Sequence, residues 1–249
     1  MANINANDLI AKFQYALDNK WGYIWGSAGV KWTQAKQDAL VKSFVSKYGS
    51  NWKKSSEAKK ADKYYGAVNG GKWIGHTVAD CSGLFYWAFK QLGGYMYHGS
   101  NTMYSKYCTS KGELTKKGRT DGKELKPGTA VFTGNKVKHG HVGLYIGNNT
   151  VIEASGTTAG VITTKISNGK WTYWGELKGV IYTVTNNTPT NSHPVEAEPV
   201  TTPTTTTTPT TVPPTIRRGD KGLNVKMAQN ILQKLKYNIG NHGIDGVFG

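Results

Sequence analysis

Cys81, His141 and Glu153 are the side chains of this sequence whose types suit covalent acyl transfer. A thiol attacks a carbonyl, an imidazole takes its proton, and a carboxylate holds the ring. Cys81 heads the stretch A-D-C-S-G-L-F-Y-W-A-F-K (79–90), where small and polar residues give way to bulky apolar ones. A cysteine at a helix N-terminus meets oriented N–H donors and a positive potential, both of which favour a thiolate. Asp80 can cap such a helix, Ser82 adds a polar group beside the sulfur, and Gly83 leaves room for backbone or substrate. Free cysteines are also among the most buried side chains, so this stretch alone leaves a merely packed Cys81 open.

A base decides between the two. In K-H-G-H-V-G-L-Y-I-G (138–147) a period of two sets His141, Gly143 and Tyr145 on one face of a strand and Val142, Leu144 and Ile146 on the other. His139 shares the parity of His141 but precedes the glycine-flanked strand, and reads as a flanking surface histidine. Glu153 in T-V-I-E-A-S (150–155) is a single acid among apolar and small residues; a solvated, outward-facing glutamate is the alternative. A regular hairpin turning at 147–150 does not set Glu153 opposite His141, so a bulge or strong twist has to close the offset. His76, His98, His193 and His242 have no zinc spacing around them, and a cysteine hydrolase needs neither metal nor other cofactor.

These residues need a helix and a sheet to hold them. N-A-N-D-L-I-A-K-F-Q-Y-A-L predicts a helix capped by Asn5, with Leu9, Ile10, Phe13, Ala16 and Leu17 on one face. Lysine-rich helices are predicted over roughly 33–47 and 56–64, and a largely buried one over 81–92. From residue 129 the period changes. T-A-V-F-T, H-V-G-L-Y-I-G, T-V-I-E-A-S, G-V-I-T-T-K-I and G-V-I-Y-T-V are short, β-branched and punctuated by turn residues, as in an antiparallel sheet. Helices first and strands second make an α+β domain over 1–185. Residues 186–215, dominated by Thr and Pro, predict an extended, disordered linker, and 216–249 a small helical segment.

The chain of 249 residues carries 31 basic and 15 acidic side chains, a net +16. Such a charge suits a polyanionic surrounding. Scattered lysines, three arginines and no helix-turn-helix or zinc-finger pattern argue against nucleic acid. No apolar run approaches the ~20 residues of a membrane span, and the start lacks a secretory leader. Cys81 and Cys108 are expected as free thiols.

Y-I-W-G (23–26), A-D-C-S-G-L (79–84), H-V-G-L-Y-I-G (141–147) and V-I-E-A (151–154) together resemble the NlpC/P60 family of papain-like cell-wall cysteine peptidases, of the bacteriophage endolysin type. The resemblance spans about residues 8–185 and implies a papain-like NlpC/P60 fold with N-terminal helices packed on the sheet. It implies Cys81 as nucleophile, His141 as base and Glu153 as orienting residue, where the family often has histidine. By the same resemblance Tyr23 belongs on the oxyanion side, Asp80 and Ser82 help to recognise the stem peptide, and no metal is used. The partner implied is bacterial peptidoglycan, met by a monomer made in the host cytoplasm. The implied reaction is cleavage of the γ-D-glutamyl to diamino-acid bond; an N-acetylmuramoyl-L-alanine amidase and a noncatalytic wall-binding protein are the alternatives. The roughly 50 residues between Gly26 and Asp80 exceed the connection of many members, and are expected to form a groove wall or touch the anionic wall. Residues 216–249 resemble the first half of a small peptidoglycan-binding domain whose final helix is missing.

Overall fold

The computed structural model describes residues 3–182 together with Gln229 and Val247. The chain divides into two units, Met1–Thr188 and Pro189–Gly249. The linker expected at 186–215 lies outside the described residues, as does the segment 216–249 apart from Gln229, whose Nε2 donates to the Val247 carbonyl at 3.0 Å.

Strand β1 (Ile4–Asn5) leads into helix α1 (Ala6–Asp18), where the Asn5 side chain accepts the Asn7 N–H at 2.8 Å and Leu9, Phe13 and Ala16 are buried. Next come β2 (Ala28–Lys31) and α2 (Gln34–Tyr48), the latter capped by Thr33. The single helix expected at 56–64 is instead two, α3 (Ser56–Lys59) and α4 (Tyr64–Asn69). Between them the N–H groups of Lys60, Ala61 and Tyr64 each bond three residues back, a tight turning that ends an α-helix. Strand β3 (Thr77–Ala79) pairs antiparallel with β2 and delivers the chain to α5 (Cys81–Gln91), followed by α6 (Ser100–Lys106).

The strands β4 (Cys108–Thr115), β5 (Gly118–Arg119), β6 (Ala130–Gly134), β7 (His139–Gly147), β8 (Thr150–Gly156), β9 (Gly160–Lys165) and β10 (Tyr173–Leu177) form one seven-stranded sheet in the order β5-β4-β10-β6-β7-β8-β9. Every pairing in it is antiparallel. The described part of the last expected strand, G-V-I-Y-T-V, does not join it: β11 (Val180–Ile181) pairs in parallel with β1.

Both faces of the sheet are covered, which the alternation of residues along its strands makes possible. Ala130, Phe132, Val142, Leu144, Ile152 and Ala154 face the helices and pack with Leu9, Phe13, Leu84, Phe85 and Phe89. Val131, Val151, Trp171 and Trp174 form a second core on the opposite face with Leu114, Leu125 and Ile166. Residues between α2 and α4 build a separate small core from Phe44, Trp52, Ala58 and Ala67. Among the described residues no helix is long and apolar enough to cross a membrane.

Candidate active site

Cys81 is the first residue of α5, with Asp80 as the N-cap. The Asp80 carboxylate is 5 % exposed and is surrounded by donors. Oδ1 accepts the Gly83 N–H at 2.7 Å and the Ser82 hydroxyl at 3.1 Å, Oδ2 accepts the Gly26 N–H at 2.7 Å, and His98 Nε2 approaches both oxygens at 2.9 and 2.8 Å. Asp80 therefore fastens two other pieces of chain, at Gly26 and at His98, to the start of α5. Asp80 and Ser82, expected to meet substrate, turn their polar atoms toward each other and are both buried. Gly83 allows a close approach to the backbone, since a Cβ there would overlap the Ser27 carbonyl oxygen.

The thiol is not the activated thiolate that helix position alone suggests. Burial first and the Asp80 carboxylate second push Cys81 up to about 12, against hydrogen bonds from the Val142 and Ser82 N–H groups and the Ser82 side chain. Cys81 rests as a neutral thiol at neutral pH, and a base has to remove its proton. The Val142 N–H is thus one of the groups near the sulfur. Tyr145 directs its N–H to Thr129, so alternation turns the Val142 N–H to the β8 side. Strand β8 pairs with β7 only from Leu144 onward, so the sheet does not take up that N–H, which lies near the thiol and one residue along from His141.

His141 and Glu153 do meet, across the offset that a regular hairpin leaves. Leu144 lies opposite Ile152, and the register slips between Tyr145 and Gly147, so Glu153 is displaced two residues along from His141 on the same face. A long side chain spans such a diagonal, and His141 Nε2 donates to Glu153 Oε2 at 2.6 Å. Glu153 is fully buried, not solvated and outward as the alternative reading had it. Burial alone would raise its pKa; hydrogen bonds from His141, Lys170 and Thr164 outweigh that and hold it at about 2. An ionised carboxylate only accepts. Nε2 must therefore carry the hydrogen of the neutral imidazole, and Nδ1 carries the free lone pair.

The space above Gly143 holds the indole of Trp171, which stacks on the His141 ring at 5.7 Å and 19°. His139 is not a surface residue. The register shift between Thr133 and Gly134 breaks the parity it would share with His141, and His139 is buried at 4 % exposure against Tyr104, with ring centroids 3.8 Å apart. Asn101 and Ser100 of α6 hold its backbone.

Tyr23 lies near enough to Cys81, Asp80 and Asp62 that burial, then the charge Cys81 carries once ionised and the charges of the two carboxylates, raise its phenol far above the usual value. It lines an open cleft of about 360 Å3 with Trp25, Asp62, Tyr65, Asn69 and the turn 156–158. Asp62, Tyr65 and Asn69 belong to the long connection between Gly26 and Asp80, which thus supplies a wall of this cleft. Trp73 and Lys72 hold the turn by donating to the carbonyls of Thr157 at 2.6 Å and Thr158 at 2.7 Å.

Sequence reasoning missed His98, Lys170, Thr164 and Trp171. His98 and Lys170 are lone polar residues in irregular segments; Thr164 could have been found from the alternation of G-V-I-T-T-K. Among the described residues no three His, Cys, Asp or Glu side chains gather as a metal cluster. Cys108 is a free thiol pushed up to about 12 by burial, and its Sγ donates to the Met103 carbonyl.

Residues 63–177 match the model of the NlpC/P60 family, an interval that contains Cys81, His141 and Glu153 but not Tyr23. Solved structures with a similar chain path include the NlpC/p60 domain of the peptidoglycan hydrolase SagA, at 12 % identity over 70 % of this chain and 100 % of that one, with a TM-score of 0.40. The peptidoglycan hydrolase RipB from Mycobacterium tuberculosis shares 19 % identity over 68 % of this chain and 66 % of its own, TM-score 0.38. RipD from the same organism, described as a non-catalytic NlpC/p60 protein adapted to peptidoglycan binding, shares 18 % over 69 % and 95 %, TM-score 0.37. A search of curated protein sequences returns no match.

Proposed function

We propose, from the premise that residues 63–177 are an NlpC/P60 family domain, that the protein is a peptidoglycan hydrolase working through a cysteine nucleophile. The observation that carries this reading is a thiol at the start of α5, near the Val142 N–H and so close in the chain to a histidine whose Nε2–H is held by a buried carboxylate. His141 Nδ1 takes the Cys81 proton as sulfur attacks the amide carbonyl carbon. Backbone N–H groups at the start of α5, with Tyr23 alongside, receive the charge that develops on the carbonyl oxygen. The C–N bond then breaks, the imidazolium returns its proton to the leaving amine, and a thioester remains. Water, deprotonated by His141, hydrolyses the thioester to a carboxylic acid and restores the thiol.

The bond we assign is the γ-D-glutamyl to diamino-acid amide of the stem peptide, in an endolysin-type enzyme. Residues 186–215 serve as its tether and 216–249 as a wall-binding segment that raises its concentration on an insoluble substrate. Digestion of purified peptidoglycan followed by mass spectrometry tests the assignment. New amino termini on the diamino acid are expected. Release of an intact stem from muramic acid would make the protein an amidase instead. Cys81→Ala should abolish all product while leaving co-sedimentation with walls intact; products forming at the wild-type rate in that variant would exclude Cys81 as the nucleophile. Wall binding without any product from the wild-type protein would identify a noncatalytic binder.

A further inference from the structure

Glu153 has more partners than an orienting carboxylate needs. His141 takes one direction on Oε2; Lys170 Nζ donates to the same oxygen at 2.5 Å, and Thr164 Oγ1 donates to Oε1 at 2.8 Å. Lys170 comes from the short connection between the 3-10 turn Ile166–Asn168 and β10, and its side chain, 37 % exposed, brings its ammonium to the fully buried Glu153. Its neighbour Trp171 is fully buried and lies flat on the His141 ring, with the Lys170 ammonium 4.9 Å from the indole centroid. Two consecutive residues thus hold both members of the histidine–carboxylate pair, one through charge and one through ring stacking.

The charge matters because of what Cys81 is. A buried anionic carboxylate with a single imidazole partner favours the imidazolium, since an opposite charge at hydrogen-bond distance stabilises the ionised form. An imidazolium cannot take a proton from a neutral thiol. The groups facing this pair are Glu153 from β8, Lys170 from the connection before β10, Thr164 from β9, and Cys81 from α5 with Asp80 behind it. Of these only Lys170 brings a positive charge to Glu153.

We propose that Lys170 is a positioning residue whose ammonium balances the Glu153 carboxylate, so that Glu153 orients the Nε2–H of His141 without drawing a second proton onto the ring. The proposal rests on the reading of His141 as the general base, but its first test does not. The ring resonances of His141, assigned by comparison with His141→Gln, are titrated by NMR in the full chain. In Lys170→Met the midpoint should move to higher pH by about one unit, a roughly tenfold gain in proton affinity. Lys170→Arg should restore it, and Lys170→Gln, which keeps a donor but not the charge, should shift it as the Met variant does and serves if that variant does not fold. A midpoint unchanged in folded Lys170→Met or Lys170→Gln would overturn the proposal. The second test follows kcat/KM against pH on purified peptidoglycan. Its acid limb should move by the same amount as the midpoint. A shifted midpoint with an unshifted limb would leave Lys170 in its role and remove His141 from the role of base.

Discussion

At the level of single residues the site depends on which carboxylates are already occupied. Asp80 fills its acceptor sites with Gly26, Ser82, Gly83 and His98, and its part is to hold together the segments that frame Cys81. His98 gains most from this arrangement. Its hydrogen bond to Asp80 raises its pKa above the ordinary histidine value despite partial burial. A raised folded-state pKa contributes stability that is fully present below the unfolded value, about 6.5, and is lost as pH rises through the higher folded value. His98→Gln should therefore lower the melting temperature more at pH 5.5 than at pH 8.5; an equal loss at both would mean that His98 acts only by packing and neutral hydrogen bonding. Cys81, His141 and Glu153 were legible because a thiol, an imidazole and an acid in short patterned segments carry their chemistry in their type. His98 in Y-M-Y-H-G-S and Lys170 in N-G-K-W sit in segments without a period, where nothing in the order of residues says which carboxylate they will find. His139 was misread because alternation was extended through a place where the register slips.

At the level of elements, the start of α5 is fixed by a contact that only glycine permits. A Cβ at Gly83 would overlap the Ser27 carbonyl and come within 3.0 Å of His98 Nε2. Neither backbone nor a hydrogen-bonded ring gives way cheaply, so Gly83→Ala should cost about 1–3 kcal/mol, the range for overpacking a filled interior. Chemical denaturation measures this loss, and iodoacetamide labelling of Cys81 should quicken as the helix start loosens. A variant as stable as wild type would show that Ser27 can move. The helix beginning at Cys81 and strands β6 to β9 could be read from the sequence because apolar runs and alternation dominate them. Strands β4 and β10 could not. Leu114 is the one buried residue of β4, and β10 carries Gly175 beneath Cys108 and a register shift after Glu176, so neither shows a clean period of two. G-V-I-Y-T-V has strand composition, yet of its described residues two pair with β1 and none with the large sheet.

For the whole molecule, the excess of 31 basic over 15 acidic residues is concentrated in part on the connection around α2 to α4. Residues 31–72 hold ten lysines and three acids. Lys53 lies over Trp52 and Lys47 over Tyr48 at the small core, and Asp62, Tyr65 and Asn69 border the cleft beside Tyr23. Attraction to an anionic wall through exposed lysines is screened over about 10 Å at 0.1 M salt and about 3 Å at 1 M. Raising NaCl should therefore slow the clearing of wall suspensions several-fold, while hydrolysis of a short soluble stem-peptide fragment changes little; equal sensitivity of both would place the salt effect on the chemistry and not on capture.

The parallel pairing of Ile4 with Val180 and Asn5 with Ile181, reinforced by the Ile4 N–H on the Gly179 carbonyl at 2.8 Å, has a topological consequence. It closes residues 4–181 into a ring with a non-covalent seam. Because the pairing is parallel, the chain enters at Ile4 and leaves at Ile181 from opposite ends of this short ladder, so a load pulling on both would shear the seam first and reach the site only after it parts. Stitching the seam and cutting the ring at the exposed Lys116–Lys117 bend would yield the same body with a new beginning.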